Sequence, residues 1–126
     1  GSSYVFATAR DWARFGLLYL QDGVWEGERL LPEGWVSYTT TPTRKAPLRE
    51  YGALFWLNAG SASNPANRRW PSIPIDAYWA NGFQEQRVII IPSRKLVLVR
   101  LGNSSSGDAW DDEKFISEVL AALPKP

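Results

Sequence analysis

The sequence contains no cysteine, no histidine and no methionine. Without cysteine the chain has no disulfide framework, no thiol nucleophile and no cysteine-ligated metal site. Without histidine it cannot by itself form a Ser-His-Asp triad or a histidine-ligated zinc site. Without methionine, Gly1 is not a translation start, so we expect the chain to be a fragment of a longer protein or a processed chain.

An excess of one charge sign and a long apolar run are also lacking. Fourteen basic and thirteen acidic residues give a formal net charge of +1, so charge indicates neither nucleic acid nor an anionic membrane as a partner. No apolar stretch is long enough to span a membrane. The 126 residues suit a single domain, 1–126, and the 44% hydrophobic content is sufficient for a core. The sequence leaves the cellular compartment open.

The residues from Tyr78 to Leu101 predict the centre of a sheet. Val88–Ile91 and Leu96–Val99 are apolar runs, and the turn residues 92–95 between them indicate an antiparallel hairpin. Because apolar residues follow one another directly rather than alternating with polar ones, we expect both faces of this hairpin to be buried.

The rest of the chain predicts helices at both ends and short strands between them. The helices span 8–22 and 111–123, with a short helix at 32–36; strands span 51–58 and 76–80, and long loops span 59–75 and 102–108. This order predicts an α+β domain, an antiparallel β-sheet with the N- and C-terminal helices packed on one face. We expect the other face and one sheet edge to lack a partner within this chain.

Catalytic motifs are absent from the sequence, and the aromatic residues leave alternatives open. No Ser-x-x-Lys, Tyr-x-Asn or Lys-Thr-Gly occurs, and no glycine-rich phosphate loop follows a strand. Of the seven tryptophans, we expect Trp12, Trp35 and Trp56 in the core, and Trp70 and Trp79 either in the core or in contact with a ligand. Asn81-Gly82 is either a strand break or a place where a substrate approaches the backbone closely.

Several segments, in order, resemble the C-terminal half of the serine beta-lactamase-related hydrolases. This family comprises class C beta-lactamases, D-alanyl-D-alanine peptidases and related esterases. The segments that carry the resemblance run nearly end to end: Thr8–Gly16, Asp22-Gly23, Leu31–Val36, Tyr51-Gly52, Phe55-Trp56, Asn81-Gly82-Phe83, Gln86, Val88–Pro92 and Leu96–Gly102. No single motif is decisive, but their order and spacing are fairly specific.

The resemblance implies a serine hydrolase whose active site lies between the sheet and an all-helical region. In that family a Ser-x-x-Lys serine attacks the carbonyl, lysine and tyrosine transfer the proton, and an acyl-enzyme is hydrolysed. A backbone N–H on the strand of the third motif helps stabilise the oxyanion. No metal and no cofactor are required. The partners implied are the missing N-terminal catalytic region of the same protein and a small ester or amide substrate.

The third motif of the family falls on Ala80-Asn81-Gly82, where Ala80 lacks the usual charge. That departure favours an esterase or amidase over a beta-lactamase or peptidase, because the charge serves to recognise a substrate carboxylate. The substrate-binding residues implied in this chain are Trp79, Ala80, Asn81, Gly82, Phe83 and Gln86, and no catalytic residue or metal ligand lies within it. We expect the isolated chain to be inactive.

Two further hypotheses do not require a missing region. The chain could be a stand-alone binding module that uses exposed tryptophans for a sugar or peptide. Alternatively, it could self-associate, because the apolar strand 96–101 is predicted to lie at an open sheet edge and to form a homodimer there. A missing N-terminal strand would occupy the same edge.

Overall fold

The computed structural model describes residues 4–104 and 110–124. The helices are α1 (Ala9–Leu20), α2 (Trp35–Thr40) and α3 (Asp112–Ala122). The strands are β1 (Val24–Trp25), β2 (Glu28–Arg29), β3 (Trp56–Leu57), β4 (Tyr78–Gly82), β5 (Gln86–Ile91) and β6 (Leu96–Arg100). Single 3₁₀ turns, Phe83–Glu85 and Pro92–Arg94, follow β4 and β5. The chain therefore has the α+β composition that the sequence predicts.

The main sheet is antiparallel with the strand order β3-β4-β5-β6, and β1 and β2 form a separate hairpin. The predicted hairpin is confirmed: β5 pairs with β6 from Arg87↔Arg100 to Ile91↔Leu96. The predicted strand 51–58 is reduced to Trp56–Leu57 and an isolated bridge from Tyr51 to Trp56. β4 runs through Gly82 and is therefore not broken at Asn81-Gly82.

The two long helices cover opposite faces of the sheet, so the prediction that both pack on one face was wrong. Side chains of Val88 and Ile90 point to the face that α1 covers, whereas Ile89 and Ile91 belong to the core that includes Ile116 of α3. Successive residues of a strand point to opposite faces, and the chain supplies one helix for each. The expected burial of both faces is confirmed for β5, whereas β6 is half-buried along its length. The sheet face that was expected to lack cover is covered by α3.

Helix α1 approaches the sheet closely at Gly16. A Cβ atom built there would lie 2.6 Å from Val97 Cγ1 and 3.0 Å from Val88 Cγ1, so a side chain would push the helix away. The N-terminus of α1 is held by a capping box, in which Thr8 accepts from the Asp11 N–H and the Asp11 side chain accepts from Thr8 N. These features fix both the start of α1 and its distance from β5 and β6.

The buried side chain of Asn58 joins the end of β3 to the long loop 59–75. Its Nδ2 donates to the carbonyl oxygens of Trp70, Ile73 and Pro74 at 3.0–3.2 Å, and its Oδ1 accepts from Trp70 N at 2.9 Å. These bonds place Trp70 and Ile73 of the loop in the core on the α3 face. The second predicted loop, 102–108, lies mostly outside the described residues.

Candidate functional site

Asn81, Gly82 and Phe83 lie at the exposed end of β4. The last ladder pairs of that strand are Asn81↔Arg87 and Gly82↔Gln86, and Phe83 begins the 3₁₀ turn immediately beyond them. The Phe83 side chain is 86% exposed, and Asn81 and Gly82 are exposed as well. The Gly82-Phe83 peptide therefore sits at the solvent boundary of a paired strand.

Gly82 has a close neighbour across the strand pair. Its φ of −123° is ordinary extended backbone, so no left-handed conformation requires glycine here. A Cβ atom would lie 2.9 Å from Gln86 Cβ, and this contact alone favours glycine. The same lack of a side chain leaves the strand backbone open to an approaching group.

Beneath this exposed peptide lies a buried arginine, Arg87, which is 5% exposed. Its Nε donates to Asp112 Oδ2 at 3.0 Å, and its guanidinium also bonds the side chains of Asn81 and Glu85. Each contact joins a separate element: Asp112 begins α3, Asn81 is the second-to-last residue of β4 and Glu85 ends the 3₁₀ turn. Arg87 therefore ties together the three elements around the candidate site.

Two further polar side chains, Gln86 and Arg100, make hydrogen bonds around the turn that begins at Phe83. The Gln86 side chain accepts from Gly102 N at 2.9 Å and donates to Gly102 O. The guanidinium of Arg100 donates to Glu85 O at 2.7 Å and to Gln84 O at 3.3 Å. Its guanidinium carbon lies 4.3 Å from the ring centroid of Trp110, a cation–π contact.

The backbone of that turn is left-handed at two residues that are not glycine. Gln84 has φ 58° and Glu85 has φ 67°, a region that costs such residues about 1–2 kcal/mol each. The Arg100 bonds to both carbonyl oxygens, together with the ion pair from Glu85 to Arg87, stabilise this conformation. Residues held in sparsely populated conformations cluster at functional sites, which makes this turn a candidate for one.

Trp79 and Ala80, the other two implied site residues, lie behind this surface. Trp79 packs against Trp70 with ring centroids 3.9 Å apart and ring planes tilted by 32°, and both rings are buried in the core on the α3 face. Ala80 packs on the α1 face. The structure thus brings Asn81, Gly82 and Gln86 together at one end of the sheet and leaves the rings of Trp70 and Trp79 no exposed face for a ligand.

Arg87 and Asp112 were not among the residues that the sequence suggested. The available signal was an arginine placed directly before the apolar run that forms the rest of β5. A charged side chain entering a buried strand requires a buried partner of opposite charge. The partner could have been Asp111, Asp112 or Glu113. The way α3 packs against the sheet selects Asp112, and the sequence does not predict that packing.

The described residues contain no group of three or more His, Cys, Asp or Glu side chains placed to hold a metal ion. The described serines show no lysine partner: Ser72 donates to Glu113 at 2.6 Å, Ser93 donates to Asp76 at 2.8 Å, and Ser104 accepts from Arg100 at 2.6 Å. No helix in the described part of the chain has the length and apolarity needed to cross a membrane. Among the described residues, this end of the sheet offers a substrate an exposed strand end with hydrogen-bonded surroundings, and no serine with a lysine partner.

A scan against protein-family models gives no match for this chain, and a search of curated proteins finds none with significant similarity.

Proposed function

We propose that this chain is the C-terminal sheet region of a beta-lactamase-related serine hydrolase and that the Gly82 end of β4 is one wall of its active site. The observation that carries the proposal is the exposed Gly82-Phe83 peptide, which ends a paired strand and is followed by a turn that Arg87 and Arg100 hold in place. A backbone N–H that stabilises an oxyanion must be fixed before the reaction begins. The resemblance of the segment 81–83 to the third motif supports this assignment. The packing of α3 on the second sheet face counts against it, because the resemblance implies an all-helical region on that face.

In the proposed reaction, a serine outside residues 1–126 attacks the carbonyl carbon of an ester or amide. The bond to the leaving group breaks, an acyl-enzyme forms, and water then hydrolyses it. The Phe83 N–H would donate to the oxyanion that develops in both steps. Because Ala80 offers no charge at the start of the motif, the substrate would be an ester or amide without a carboxylate beside the scissile bond.

A matched pair of substitutions at Phe83 tests the role of its N–H. Phe83 is the first residue of a 3₁₀ turn and Gly82 before it is extended (φ −123°, ψ 168°), a geometry that accepts proline. Phe83→Pro removes the N–H, whereas Phe83→Ala removes the same ring and keeps the N–H. We expect kcat for p-nitrophenyl acetate to be about 10²–10³-fold lower for the proline variant than for the alanine variant.

The enzyme for this measurement is the polypeptide obtained by extending the chain at its amino terminus with its own upstream coding sequence. Equal thermal unfolding of the two variants is the control for folding. Equal kcat values for the two variants would refute the proposed donor. An upstream sequence that encodes no Ser-x-x-Lys would refute the proposed family assignment itself.

A second candidate is self-association through β6. Within the described residues β6 pairs only with β5, and its five residues are half-buried. An antiparallel copy centred on Leu98 would pair Leu96 with Arg100 and Val97 with Val99, which is a self-complementary arrangement. Open apolar edges are templates for such pairing.

Sedimentation of the 126-residue chain over a hundredfold concentration range tests this candidate. A dimer through β6 predicts a mass of twice 14.2 kDa and slower hydrogen exchange of β6 amides as the concentration rises. A monomer at every concentration, with unchanged β6 exchange, would contradict it.

A further inference from the structure

The carboxylate of Asp112, at the start of α3, lies between two groups that lead to the turn after β4. The residue is 8% exposed, and its two oxygens have different partners. Oδ2 accepts from Arg87 Nε at 3.0 Å, and Oδ1 accepts from the indole N–H of Trp110 at 3.0 Å. Neither bond reaches the turn 83–85 directly, so any influence of Asp112 on that turn passes through Arg87 and Trp110.

The first path runs through the guanidinium of Arg87, which is planar and rigid. Its Nε bonds Asp112, while its two terminal nitrogens bond the side chains of Asn81 and Glu85. Because the N–H groups of a guanidinium keep a fixed geometry, holding one edge also sets the directions of the others. Asp112 therefore fixes the direction from which Arg87 meets the end of β4 and the turn.

The second path runs through Trp110 to Arg100. The guanidinium carbon of Arg100 lies 4.3 Å from the centroid of the Trp110 ring. The same guanidinium donates to the carbonyl oxygens of Gln84 and Glu85. The bond from the indole N–H to Asp112 fixes the ring against which the Arg100 guanidinium lies. A change at Asp112 therefore reaches the same turn by two separate paths.

The turn at which both paths end does not keep its conformation by local preference. Gln84 and Glu85 both have positive φ, which costs two successive residues with a Cβ atom about 2–4 kcal/mol together. Contacts from outside the turn must offset that cost. Phe83 directly precedes these two residues, so a change in their backbone would shift the Phe83 peptide as well.

The charges show what a loss of Asp112 would do. Among the described residues, Arg87 forms ion pairs with two carboxylates, those of Asp112 and Glu85. The Asp112 side chain is 8% exposed and that of Glu85 is 29% exposed. Without the Asp112 charge, the buried guanidinium would be drawn towards Glu85, because a buried charge needs a partner of opposite sign. Such a shift would move the turn.

We propose that Asp112 is a positioning residue that sets the backbone of the turn 83–85 and the direction of the Phe83 N–H. It acts by orienting Arg87 directly and Arg100 through the intervening indole. The link from Asp112 to the turn is a property of this chain alone. Its consequence for catalysis rests on the proposed function, in which the Phe83 N–H donates to the oxyanion.

Matched substitutions at neighbouring residues test the link in the 126-residue chain. Asp112→Asn keeps the size of the side chain and removes the charge that holds Arg87. Asp111→Asn, the control, removes the same charge from the same helix end. It keeps the N-cap, because Asp111 accepts from Lys114 N at 2.9 Å and asparagine caps equally well. The ¹³Cα and ¹³Cβ chemical shifts of residues 84–85, which follow φ and ψ, should change in Asp112→Asn and match wild type in Asp111→Asn.

A second pair of variants decides the test if Asp112→Asn does not fold. Trp110→Phe removes the N–H that Asp112 accepts and keeps both an aromatic ring and the Asp112 charge. It should change the same ¹³C shifts by a smaller amount. Its control, Trp35→Phe, removes an exposed indole N–H that donates to Tyr19 Oη at 3.4 Å and should leave the shifts unchanged. Wild-type ¹³C shifts at residues 84–85 in the folded variant, or equal changes in its control, would overturn the proposal.

The consequence for catalysis is measured on p-nitrophenyl acetate with the amino-terminally extended polypeptide. Asp112→Asn should lower kcat per folded molecule about tenfold to a hundredfold and leave KM unchanged, because a misplaced donor affects the transition state rather than substrate binding. Asp111→Asn should match wild type. Wild-type kcat per folded molecule in Asp112→Asn would overturn the positioning role. An inactive wild-type polypeptide would instead refute the proposed function, and the link to the turn would then be decided by the ¹³C shifts.

Discussion

The two ends of β4 differ in how their buried polar side chains are hydrogen-bonded. At the Gly82 end, Arg87 has hydrogen-bonding partners on α3, on β4 and on the following turn. At the other end, the Tyr78 hydroxyl is equally buried and has no partner among the described residues. A satisfied network fixes the positions of the elements that it joins, whereas a buried polar group without a partner costs free energy of folding.

The two ends therefore differ in hydrogen bonding. The Gly82 end presents an exposed backbone beside a buried arginine that is fully engaged. The Tyr78 end contains a buried hydroxyl that makes no bond to the described residues. Four measurements, in order of decreasing effect, examine whether the two ends differ in this way.

Arg87→Met should destabilise the chain most, because it leaves Asp112 buried without its cation. Breaking a buried ion pair on one side costs about 3–5 kcal/mol in the free energy of unfolding, which urea denaturation measures. The control is Arg14→Met, which breaks the exposed pair from Arg14 to Asp11 at 2.7 Å and should cost less than about 1 kcal/mol. Similar losses in the two variants would show that Arg87 does not hold the Gly82 end together.

Gln86→Ala should have the next largest effect at the same end of β4. It removes both contacts of the Gln86 side chain with the backbone of Gly102, and the expected loss is about 1–3 kcal/mol. Gln21→Ala, at the exposed C-cap of α1, is the matched control and should change the free energy of unfolding little. If the two substitutions change the free energy of unfolding equally, the contact between Gln86 and Gly102 does not stabilise the fold.

Alkaline pH should weaken the fold through Tyr78. Because burial raises its pKa in the folded state, the stabilisation is complete below the ordinary tyrosine pKa near 10 and is lost as the pH rises above it. The wild-type chain should therefore lose about 1 kcal/mol more than Tyr78→Phe between pH 9 and pH 11. Parallel stability curves for the two proteins over this interval would contradict the burial of a neutral hydroxyl.

Tyr78→Phe at neutral pH should have the smallest effect, within about 0.5 kcal/mol of wild type or stabilising, because it removes a hydroxyl that makes no bond. Thr39→Val provides the contrast: Thr39 is equally buried, but its hydroxyl donates to Val36 O at 2.9 Å. That substitution should cost about 0.5–1.5 kcal/mol. A larger loss for Tyr78→Phe than for Thr39→Val would reveal a partner for the Tyr78 hydroxyl.

The sequence predicted the elements that have a strong local pattern. The apolar runs at 88–91 and 96–99 with a turn between them became β5 and β6, and the helices predicted at 8–22 and 111–123 became α1 and α3. It did not predict which face each helix covers. An apolar helix face shows that a helix packs against something, but the face of the sheet that it meets depends on the path of the loops between them.

The tryptophans were distributed differently from the prediction for the same reason. Trp35 and Trp56, predicted for the core, are 41% and 38% exposed, whereas Trp70 and Trp79, for which core or ligand contact was left open, pack against each other in the core. Whether a tryptophan lies on a helix or in a loop does not determine its burial. The loop residue Trp70 is buried because the side chain of Asn58 bonds its backbone and holds the loop against the sheet. Likewise, the short helix predicted at 32–36 lies at 35–40, because Gly34, with φ 79°, precedes its first residue.

The candidate site was partly predictable. Asn81, Gly82 and Gln86 were named from the sequence, and they do lie together. The contacts that hold them, through Arg87, Asp112 and Arg100, join residues up to 25 positions apart, and no local pattern encodes such pairings.

The central claim is that the Gly82 end of β4 serves an active site whose nucleophile lies outside this chain. Labelling with a fluorophosphonate probe, followed by identification of the modified residue, tests it most directly. The account predicts no labelling of the 126-residue chain alone, and labelling of the amino-terminally extended polypeptide at a serine that precedes Gly1. Labelling of the isolated chain at one of its own serines, with ester hydrolysis that disappears when that serine is replaced by alanine, would contradict it.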